Sequence, residues 1–419
     1  MTIRATLLLS AAFLAPTAFA QEITLRHALD GRALDALATL TVRFNDEQKG
    51  KAKVVLEDVR GIEDRQRLPH MAFLDAHDGM AFFGTRPRFV SLAQTMRNSR
   101  EKFDASAFYP QVADAVDDLT GKVQALPLGL GLPVLFYSQD AFRKAGLDPA
   151  KPPQTWWEVQ HAAGELFDRD VKCPLTSAQF SWVHVENISS QHGEPIVAKS
   201  GRSERLAVNS MVNVKHIALL ASWHKSFYFH YFGPGDEAVS RFASGECAML
   251  TADSSVAMRI AQAAKFQLGV AALPHYDDVR GAQPVDLLPD GAALWLLPGK
   301  KKEEYKVVAR FVGFLMRPAV QKEWVQTTGY LPMTSAGMEG LRASPAAPAV
   351  VAAAEKRLAM PRQGYRSKIG VGQGRLREIL NEEIAFVWQN TKPAKEALDT
   401  AVSRASLLLS PAVAATTRK

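Results

Sequence analysis

The sequence predicts an α/β protein with two lobes. Strand-like and helix-like segments alternate along most of the chain, which is typical of a mostly parallel sheet covered by helices. The length indicates two lobes, because removing a 20-residue signal leaves 399 of the 419 residues, and single cores rarely exceed about 250 to 300 residues. A hydrophobic fraction of 47% is enough for a fully folded chain.

The first 20 residues have the pattern of a cleaved secretory signal. Arg4 provides a short basic start, residues 5–15 are mostly apolar, and Ala18-Phe19-Ala20 forms an A-x-A cleavage site. Cleavage before Gln21 leaves no cysteine for a lipid anchor, and no later apolar run approaches the roughly 20 residues that span a bilayer. We therefore expect a soluble, exported protein.

Charge and cysteine content exclude several classes of function. The formal net charge is +7, but no basic run is interleaved with aromatic residues, so nucleic acid is not an expected partner. Cys173 and Cys247 are the only cysteines; they could pair in an oxidising compartment, or both could be small buried residues. Two cysteines cannot form a Cys-rich metal site, and no His-Glu-x-x-His helix is present, so no metal or cofactor is predicted.

The first strand-helix-strand unit begins directly after the signal. Residues 22–26 alternate like a strand, residues 30–45 carry apolar side chains on one helical face, and residues 54–56 form a second strand. Further strands are predicted at 80–83, 133–137, 245–250, 268–273 and 292–297.

Helix boundaries are marked by capping residues. A short helix within 138–149 ends near a glycine and a proline, and Thr155 and Glu158 have capping-box spacing at the start of the next helix. Other helices are predicted at 236–242, 376–388 and 394–409, and residues 411–419 lack periodicity and are expected to form a flexible tail.

A pair of helices leads to a conspicuous tyrosine. Residues 305–315 have helical spacing, Pro318 begins a second helix, and Gly329 is placed to end it. Tyr330 follows at once. The phenol could belong to a binding site, although a helix cap beside a packed ring is the plainer explanation.

Ordered sequence blocks identify a family. The chain resembles the periplasmic solute-binding proteins of ATP-driven importers, and especially their glycerol-phosphate-binding members, from about residue 25 to residue 410. The blocks that carry this resemblance include 43–45, 138–149, 152–156, 185–187, 214–218, 245–249, 264–266, 291–295, 328–332 and 397–402.

The resemblance implies two α/β lobes that close around a ligand by a hinge. The implied N-terminal lobe comprises 21–129 and 274–327, and the C-terminal lobe comprises 130–273 and 328–410. The chain would then cross between lobes near 129–133, 269–274 and 327–332.

The resemblance also implies a phosphate site. A phosphate enclosed by closing lobes needs donors on several sides and a cation, because its charge loses solvent. The implied groups are the hydroxyl of Ser254, the amide of Gly291, the phenol of Tyr330 and the ammonium of Lys368. Ser255 is the alternative to the first group, and Arg366 is the alternative to the last.

The half of the site that would bind glycerol departs from the family pattern. Glu63 stands where the family has a tyrosine in a Gly-Asn-Tyr turn, and it is either an acceptor for hydroxyl groups or a solvated surface carboxylate. The family's glutamate for the glycerol hydroxyls is replaced in this chain, near Thr85 or Arg86. Polar contacts to glycerol are therefore expected to differ from those of the family.

Two further positions line the implied cleft. The family's Asn-Ser-Ser before the first crossing becomes Gly129-Leu130-Gly131, which leaves Gly131 at the site without a side chain. The family's cleft-wall indoles fall near Phe180 and Trp182. Either ring could flank a ligand head group, and either could be ordinary core.

The implied function is that of a non-catalytic, monomeric receptor for a glycerol phosphate or a glycerophosphodiester. Its expected partners are the membrane permease subunits of an ABC importer and their cytoplasmic ATPase. An oligosaccharide, a polyol or another organic phosphate is the alternative ligand. An exported hydrolase ranks lower, because the sequence offers no nucleophile elbow, metal cluster or carboxylate pair with specific spacing.

Overall fold

The computed structural model describes residues 21–29, 31–61, 67–75, 89–116, 122–200, 203–279, 284, 286–342, 348–358 and 373–409. The strands are β1 (Gln21–His27), β2 (Ala52–Asp58), β3 (Met71–Leu74), β4 (Ala125–Gly131), β5 (Pro133–Ser138), β6 (Cys173–Ser177), β7 (Val197–Ser200), β8 (Ser203–Leu206), β9 (Phe229–His230), β10 (Cys247–Asp253), β11 (Leu268–Ala272) and β12 (Asp290–Leu296).

The α-helices surround these strands. They are α1 (Gly31–Glu47), α2 (Leu92–Asn98), α3 (Pro110–Ala115), α4 (Gln139–Lys144), α5 (Trp156–Phe167), α6 (Asn187–Gln191), α7 (Met211–Lys225), α8 (Glu237–Ala243), α9 (Ala257–Ala263), α10 (Lys302–Leu315), α11 (Pro318–Thr328), α12 (Ser335–Arg342), α13 (Pro348–Leu358), α14 (Gln373–Trp388) and α15 (Ala394–Leu409). Shorter turns are the 3₁₀ segments Val59–Gly61, Ala105–Ala107 and Ser254–Val256 and the π-helical segment Trp182–Glu186.

The first sheet has the strand order β2-β1-β3-β12-β4 within the described residues. β1 is parallel to β2, with Ile23 opposite Val54, and parallel to β3. The predicted first strand-helix-strand unit is confirmed here: α1 leaves β1 and buries one apolar face, including Leu37 and Phe44, before the chain enters β2. β12 is antiparallel to both β3 and β4.

The second sheet has the order β11-β5-β10-β6-β9 in the same described part of the chain. Its central strand β10 is parallel to β6 and antiparallel to β5. Cys173 of β6 lies opposite Cys247 of β10, and the two form a disulfide with a Cα–Cα distance of 4.5 Å. This pairing resolves the two alternatives left open by the sequence.

Both sheets are mixed, which corrects the expectation of a mostly parallel sheet. Four strands of each sheet share one direction, whereas β12 in the first and β5 in the second are reversed. Each reversed strand begins where its neighbour ends: Pro133 pairs with Asp253, and Asp290 pairs with Gly131. β5 and β12 run against their neighbours because the chain reaches each of these two strands from the other sheet.

Each sheet has its own hydrophobic core. The first core includes side chains of α1, α10 and α11, and the ring centroids of Phe44 and Phe311 lie 4.9 Å apart. Met338 of α12 and Val351 of α13 also belong to this core. The second core is formed mainly with α5, α7, α14 and α15. A smaller cluster covers the other face of the second sheet against α8.

The predicted caps of two helices are confirmed. Thr155 and Glu158 form a capping box at the start of α5, so the orphan amides of its first turn are satisfied locally. Gly329 ends α11 in the left-handed conformation at φ 81°. The predicted signal (1–20), strand (80–83) and tail (411–419) lie outside the described residues.

Candidate functional site

The first crossing strand is the scaffold of the candidate site. β4 of the first sheet continues through Leu132 into β5 of the second sheet. The segment is apolar and fully buried, so its polar backbone groups need partners inside the protein. Those partners come from segments that carry sequence-predicted site residues.

Ser254 bonds directly to this crossing strand. It follows β10, is fully buried, and donates its amide to Leu132 O at 2.8 Å while its Oγ accepts the Leu132 amide at 3.0 Å. Acceptance of that bond leaves the hydroxyl proton of Ser254 available for a further acceptor. The alternative, Ser255, is half-buried, and its amide donates to Asp253 Oδ1 at 2.7 Å.

Gly131 makes room for a buried carboxylate. A Cβ at this position would lie 1.8 Å from Asp253 Oδ1, so any side chain here would displace Asp253. Asp253 is 6% exposed, and burial raises the pKa of its carboxyl group to about 7. Gly131 was predicted from the sequence as a site residue, whereas Asp253, whose side chain occupies the adjoining space, was not.

Gly291 lies on the reversed strand β12, opposite Leu130. Its φ is 128°, and a Cβ would lie 2.0 Å from Gly129 O. Both the backbone conformation and the close approach therefore require glycine at this position. The backbone alone therefore explains the glycine at this position, whether or not the Gly291 amide donates to a ligand.

Tyr330 is held against the same crossing strand. The next residue, Leu331, donates its amide to Leu130 O at 2.9 Å, and the Tyr330 ring stacks on Trp324 with centroids 6.0 Å apart. Trp324 is in turn fixed by an Nε1 hydrogen bond to Leu128 O at 2.6 Å. The structure thus brings Tyr330, Gly291 and Ser254 to one three-residue segment, Leu130 to Leu132.

Trp182 is almost completely buried. It begins the π-helical turn of the second core, and its Nε1 donates to Leu288 O at 3.1 Å. Phe180 is equally buried, at 1% exposure, and stacks on His184 with centroids 4.6 Å apart. In this structure both rings belong to the core, and a contact of either with a ligand stays a prediction.

Sequence reasoning missed an ion-pair network beside Gly291. Arg377 of α14 binds both carboxylate oxygens of Glu186, at 2.6 and 2.9 Å, and also pairs with Asp290, the first residue of β12. Glu186 is 2% exposed. A guanidinium matches a carboxylate with two parallel bonds, so Arg377 joins the second core to the start of β12. No local spacing signals this contact, because Glu186 and Arg377 are 191 positions apart.

A buried histidine chain was also missed. His184 and His216 share a 2.9 Å hydrogen bond, His184 bonds Thr251 Oγ1 at 2.9 Å, and His216 bonds the hydroxyl of Tyr276 at 2.8 Å. Burial lowers the pKa of His184 to about 3 and holds the pKa of His216 well below its usual value. Both rings are therefore neutral at pH 7, and they connect β10, α7 and the segment after β11.

The structure describes only part of the predicted site. Glu63, Thr85 and Lys368 lie outside the described residues, as do their alternatives Arg86 and Arg366. Within the described residues, no group of three or more His, Cys, Asp and Glu side chains is arranged to hold a metal ion. In that same portion of the chain, no helix combines the length and apolar character needed to cross a membrane.

Sequence comparison gives a family match and full-length relatives. A model of the bacterial extracellular solute-binding proteins matches residues 47–349. The chain is 34% identical to the sn-glycerol-3-phosphate-binding periplasmic protein UgpB of Yersinia enterocolitica, covering 96% of this chain and 95% of the relative. It is also 34% identical to the Salmonella typhimurium protein of the same name, covering 96% of each.

Solved structures of similar shape have the two-lobed α/β fold of periplasmic sugar-binding proteins. The UgpB structure from Mycobacterium tuberculosis in complex with glycerophosphocholine has a TM-score of 0.72 at 20% identity, covering 94% of this chain and all of that one. The cyclic alpha-maltosyl-1,6-maltose binding protein of Arthrobacter globiformis also has a TM-score of 0.72, at 18% identity, covering 93% and 99% of the two chains. At these identities the similarity establishes the fold alone, and it confirms the predicted two-lobed α/β class.

Proposed function

This chain belongs to the bacterial extracellular solute-binding proteins, and from that premise we propose that it captures sn-glycerol-3-phosphate or a glycerophosphodiester for import. The relatives from Yersinia and Salmonella are named for sn-glycerol-3-phosphate. A solute-binding protein has a binding role, and we propose that this chain does not transform its ligand.

One observation carries the proposal. Ser254, Gly291 and Tyr330, which come from three distant parts of the chain, all converge on Leu130 to Leu132. A phosphate held there would receive a hydroxyl, a backbone amide and a phenol from different directions. Such surrounding donors stabilise a charge that loses its water when two lobes close.

The remaining contacts are proposed on the family resemblance. Lys368, with Arg366 as the alternative, would supply the cation. Glu63 and Thr85 would approach the glycerol hydroxyls, and Trp182 would support the wall of the cleft. Gly131 would contribute space and backbone rather than a side chain.

We also propose how the chain divides into lobes. The N-terminal lobe would comprise 21–129 and 274–327, and the C-terminal lobe would comprise 130–273 and 328–410. The two separate sheets and their cores support this division for the strands. Helix α12 packs in the first core although it follows residue 328, so it would accompany the N-terminal lobe, whereas α13 contacts both the first core and β11 of the second sheet.

The proposed partners follow from the same role. After removal of a signal peptide, the chain would act in the periplasm as a monomer. It would deliver its ligand to the permease subunits of an ABC importer driven by a cytoplasmic ATPase. Nucleic acid has no part in this proposal.

Titration calorimetry tests the ligand class. The purified protein is first unfolded and refolded to remove any retained solute, then titrated with glycerol-3-phosphate, with glycerophosphocholine and with free glycerol. We expect heat from at least one of the two phosphates and none from glycerol. Absence of heat with both phosphates would contradict the proposal. Phosphorus NMR of the same mixtures should show unchanged ligand, and turnover would indicate an enzyme instead.

A neutral sugar or polyol is the second candidate. The observation that favours it is the apolar first crossing, where Gly129, Leu130 and Gly131 offer no polar side chain. A Lys368→Ala/Arg366→Ala double variant separates the candidates, because it removes both candidate cations for a phosphate, whereas a neutral sugar needs neither. Unchanged affinity in that variant would favour the sugar.

A further inference from the structure

Asp253 is a buried carboxylate beside the proposed phosphate donors. It is the last residue of β10, directly before Ser254, and only 6% of its surface is exposed. Its Oδ1 accepts the Ser255 amide at 2.7 Å, and its own amide donates to Gln179 Oε1 at 3.1 Å. Within the described residues, no lysine or arginine forms an ion pair with it.

The surroundings of Asp253 make its negative charge unfavourable. Burial is the largest cause of its raised pKa, about 7, and the carboxylates of Asp290 on β12 and Asp236 before α8 act in the same direction. Arg377 faces this region from α14, but it is bound to Asp290 and Glu186. A buried carboxylate that has no ion-pair partner among the described residues is a candidate functional group.

The space for Asp253 is provided by Gly131 at the end of β4, two residues before Pro133, which pairs with Asp253. Because a Cβ on Gly131 would lie 1.8 Å from Asp253 Oδ1, the two residues are sterically coupled. The carboxylate therefore lies at the crossing strand itself, next in sequence to Ser254, whose hydroxyl bonds Leu132. A phosphate bound by Ser254 would lie close to a second negative group.

We propose that Asp253 determines which phosphate the site accepts: its carboxyl group hydrogen-bonds a ligand hydroxyl and discriminates against a phosphate that carries two negative charges. This inference rests on the proposed function. A phosphate monoester carries about −1.5 to −2 at pH 7 because its second pKa is about 6. A phosphodiester carries a single charge, so a neighbouring carboxylate repels it less.

The preference should depend on pH. Near pH 8 the Asp253 carboxyl is ionised and a monoester carries two charges, so repulsion is greatest. Near pH 5.5 both groups take up protons, and a neutral Asp253 can donate a hydrogen bond to a phosphate oxygen. The preference for a diester should therefore be large at pH 8 and small at pH 5.5.

The experiment uses titration calorimetry with glycerol-3-phosphate and two diesters. Glycerophosphoglycerol has no cationic head group, and glycerophosphocholine has one, so the pair separates phosphate charge from attraction of a cation to Asp253. At pH 8 we expect the wild-type chain to bind glycerophosphoglycerol at least about tenfold more tightly than glycerol-3-phosphate. The repulsion of one extra charge in a buried site exceeds the free energy that corresponds to a tenfold change in affinity.

The Asp253→Asn variant removes the charge and keeps an oxygen that can accept the Ser255 amide. At pH 8 it should tighten binding of glycerol-3-phosphate by at least about tenfold more than it tightens binding of glycerophosphoglycerol, because the carboxylate repels each ligand in proportion to its charge. An Asp253→Ser variant, which also retains an acceptor, should behave in the same way. Asp148→Asn is the matched control, because that carboxylate also accepts the amide two positions on, from Ala150, but is 52% exposed, and it should change neither affinity.

The outcomes separate this inference from the proposed function. Equal shifts for the monoester and the diester, or a wild-type preference for the monoester at pH 8, would overturn the role of Asp253 alone. Tighter binding of glycerophosphocholine only, lost in Asp253→Asn, would show recognition of a cation and would also overturn it. If the folded wild-type chain binds none of the three ligands, the proposed function fails and this inference fails with it.

Discussion

Ser254 and Leu132 exchange two hydrogen bonds, with the Ser254 amide donating to Leu132 O at 2.8 Å and the Leu132 amide donating to Ser254 Oγ at 3.0 Å. Leu132 is the single residue between β4 of the first sheet and β5 of the second. The serine side chain therefore fixes the passage of the chain between the two sheets. The hydroxyl proton of Ser254 is the hydrogen-bond donor that we propose for a bound phosphate.

A Ser254→Ala variant should lose both stability and affinity. The buried Leu132 amide would have no acceptor, which costs about 1 to 3 kcal/mol of unfolding free energy, and a phosphate would lose one donor. Denaturant unfolding and calorimetry measure the two effects. Ser222→Ala on the exposed side of α7 is the control, since its hydroxyl bonds only Leu219 O. Wild-type stability in Ser254→Ala would contradict the role of this hydroxyl.

A Tyr330→Phe variant should weaken binding with little change in the packing of the ring. The stack on Trp324 is retained, whereas the donor to a charged ligand is removed, so affinity should fall about tenfold or more. Tyr137→Phe is the comparison, because its hydroxyl donates to Pro149 O and not to any group of Leu130 to Leu132. That variant should keep full affinity. If the two variants bind equally well, Tyr330 is a packing residue only.

Loss of the Cys173–Cys247 bond should destabilise the second sheet. The bond closes a loop with a sequence separation of 74, and a chain-entropy model gives about 4 kcal/mol for a loop of that size. Thermal unfolding of the Cys173→Ala/Cys247→Ala double variant should show a lower Tm than the oxidised wild type. A reducing agent should lower the wild-type Tm and leave that of the variant unchanged. Identical curves for both proteins would mean that the bond adds nothing to stability.

Replacement of Arg377 should be strongly destabilising. Arg377→Gln removes the bidentate partner of Glu186, which is 2% exposed, and breaking a buried ion pair from one side costs about 3 to 5 kcal/mol. Arg375→Gln on the same helix is the control. Arg375 is 37% exposed and pairs with Glu378, so its loss should cost about 0.5 kcal/mol or less. Chemical denaturation gives the unfolding midpoints of both variants. Similar midpoints would contradict a large contribution of the Arg377 network to stability.

The buried histidine chain should make the protein sensitive to acid. Burial lowers the pKa of His184 from 6.5 to about 3, so between these values the unfolded chain binds a proton that the folded chain does not. His184 therefore reduces stability as the pH falls below 6.5, by up to about 1.4 kcal/mol per pH unit. Unfolding free energies measured from pH 7 to pH 5 should show a shallower slope in His184→Gln. The exposed His161→Gln serves as control, and equal slopes for wild type and His184→Gln would refute the prediction.

Local sequence determined the helix ends, and the family resemblance supplied the groups of the proposed phosphate site. The capping box of Thr155 and the left-handed cap at Gly329 were predictable, because such contacts join residues within about four positions of each other. The family blocks pointed to Ser254, Gly291 and Tyr330, and the fold brings all three to one crossing strand. The roles of Glu63, Thr85 and Lys368 stay predictions.

Only the tertiary structure decided the contacts that join distant segments. The sequence does not show that β5 and β12 are reversed, since their direction depends on which sheet the chain enters and not on their side chains. The same holds for the Cys173–Cys247 bond, the Arg377 network and the burial of Asp253 against Gly131. Each of these requires two segments to meet in space, and their meeting is set by the packing of the whole chain rather than by any local pattern.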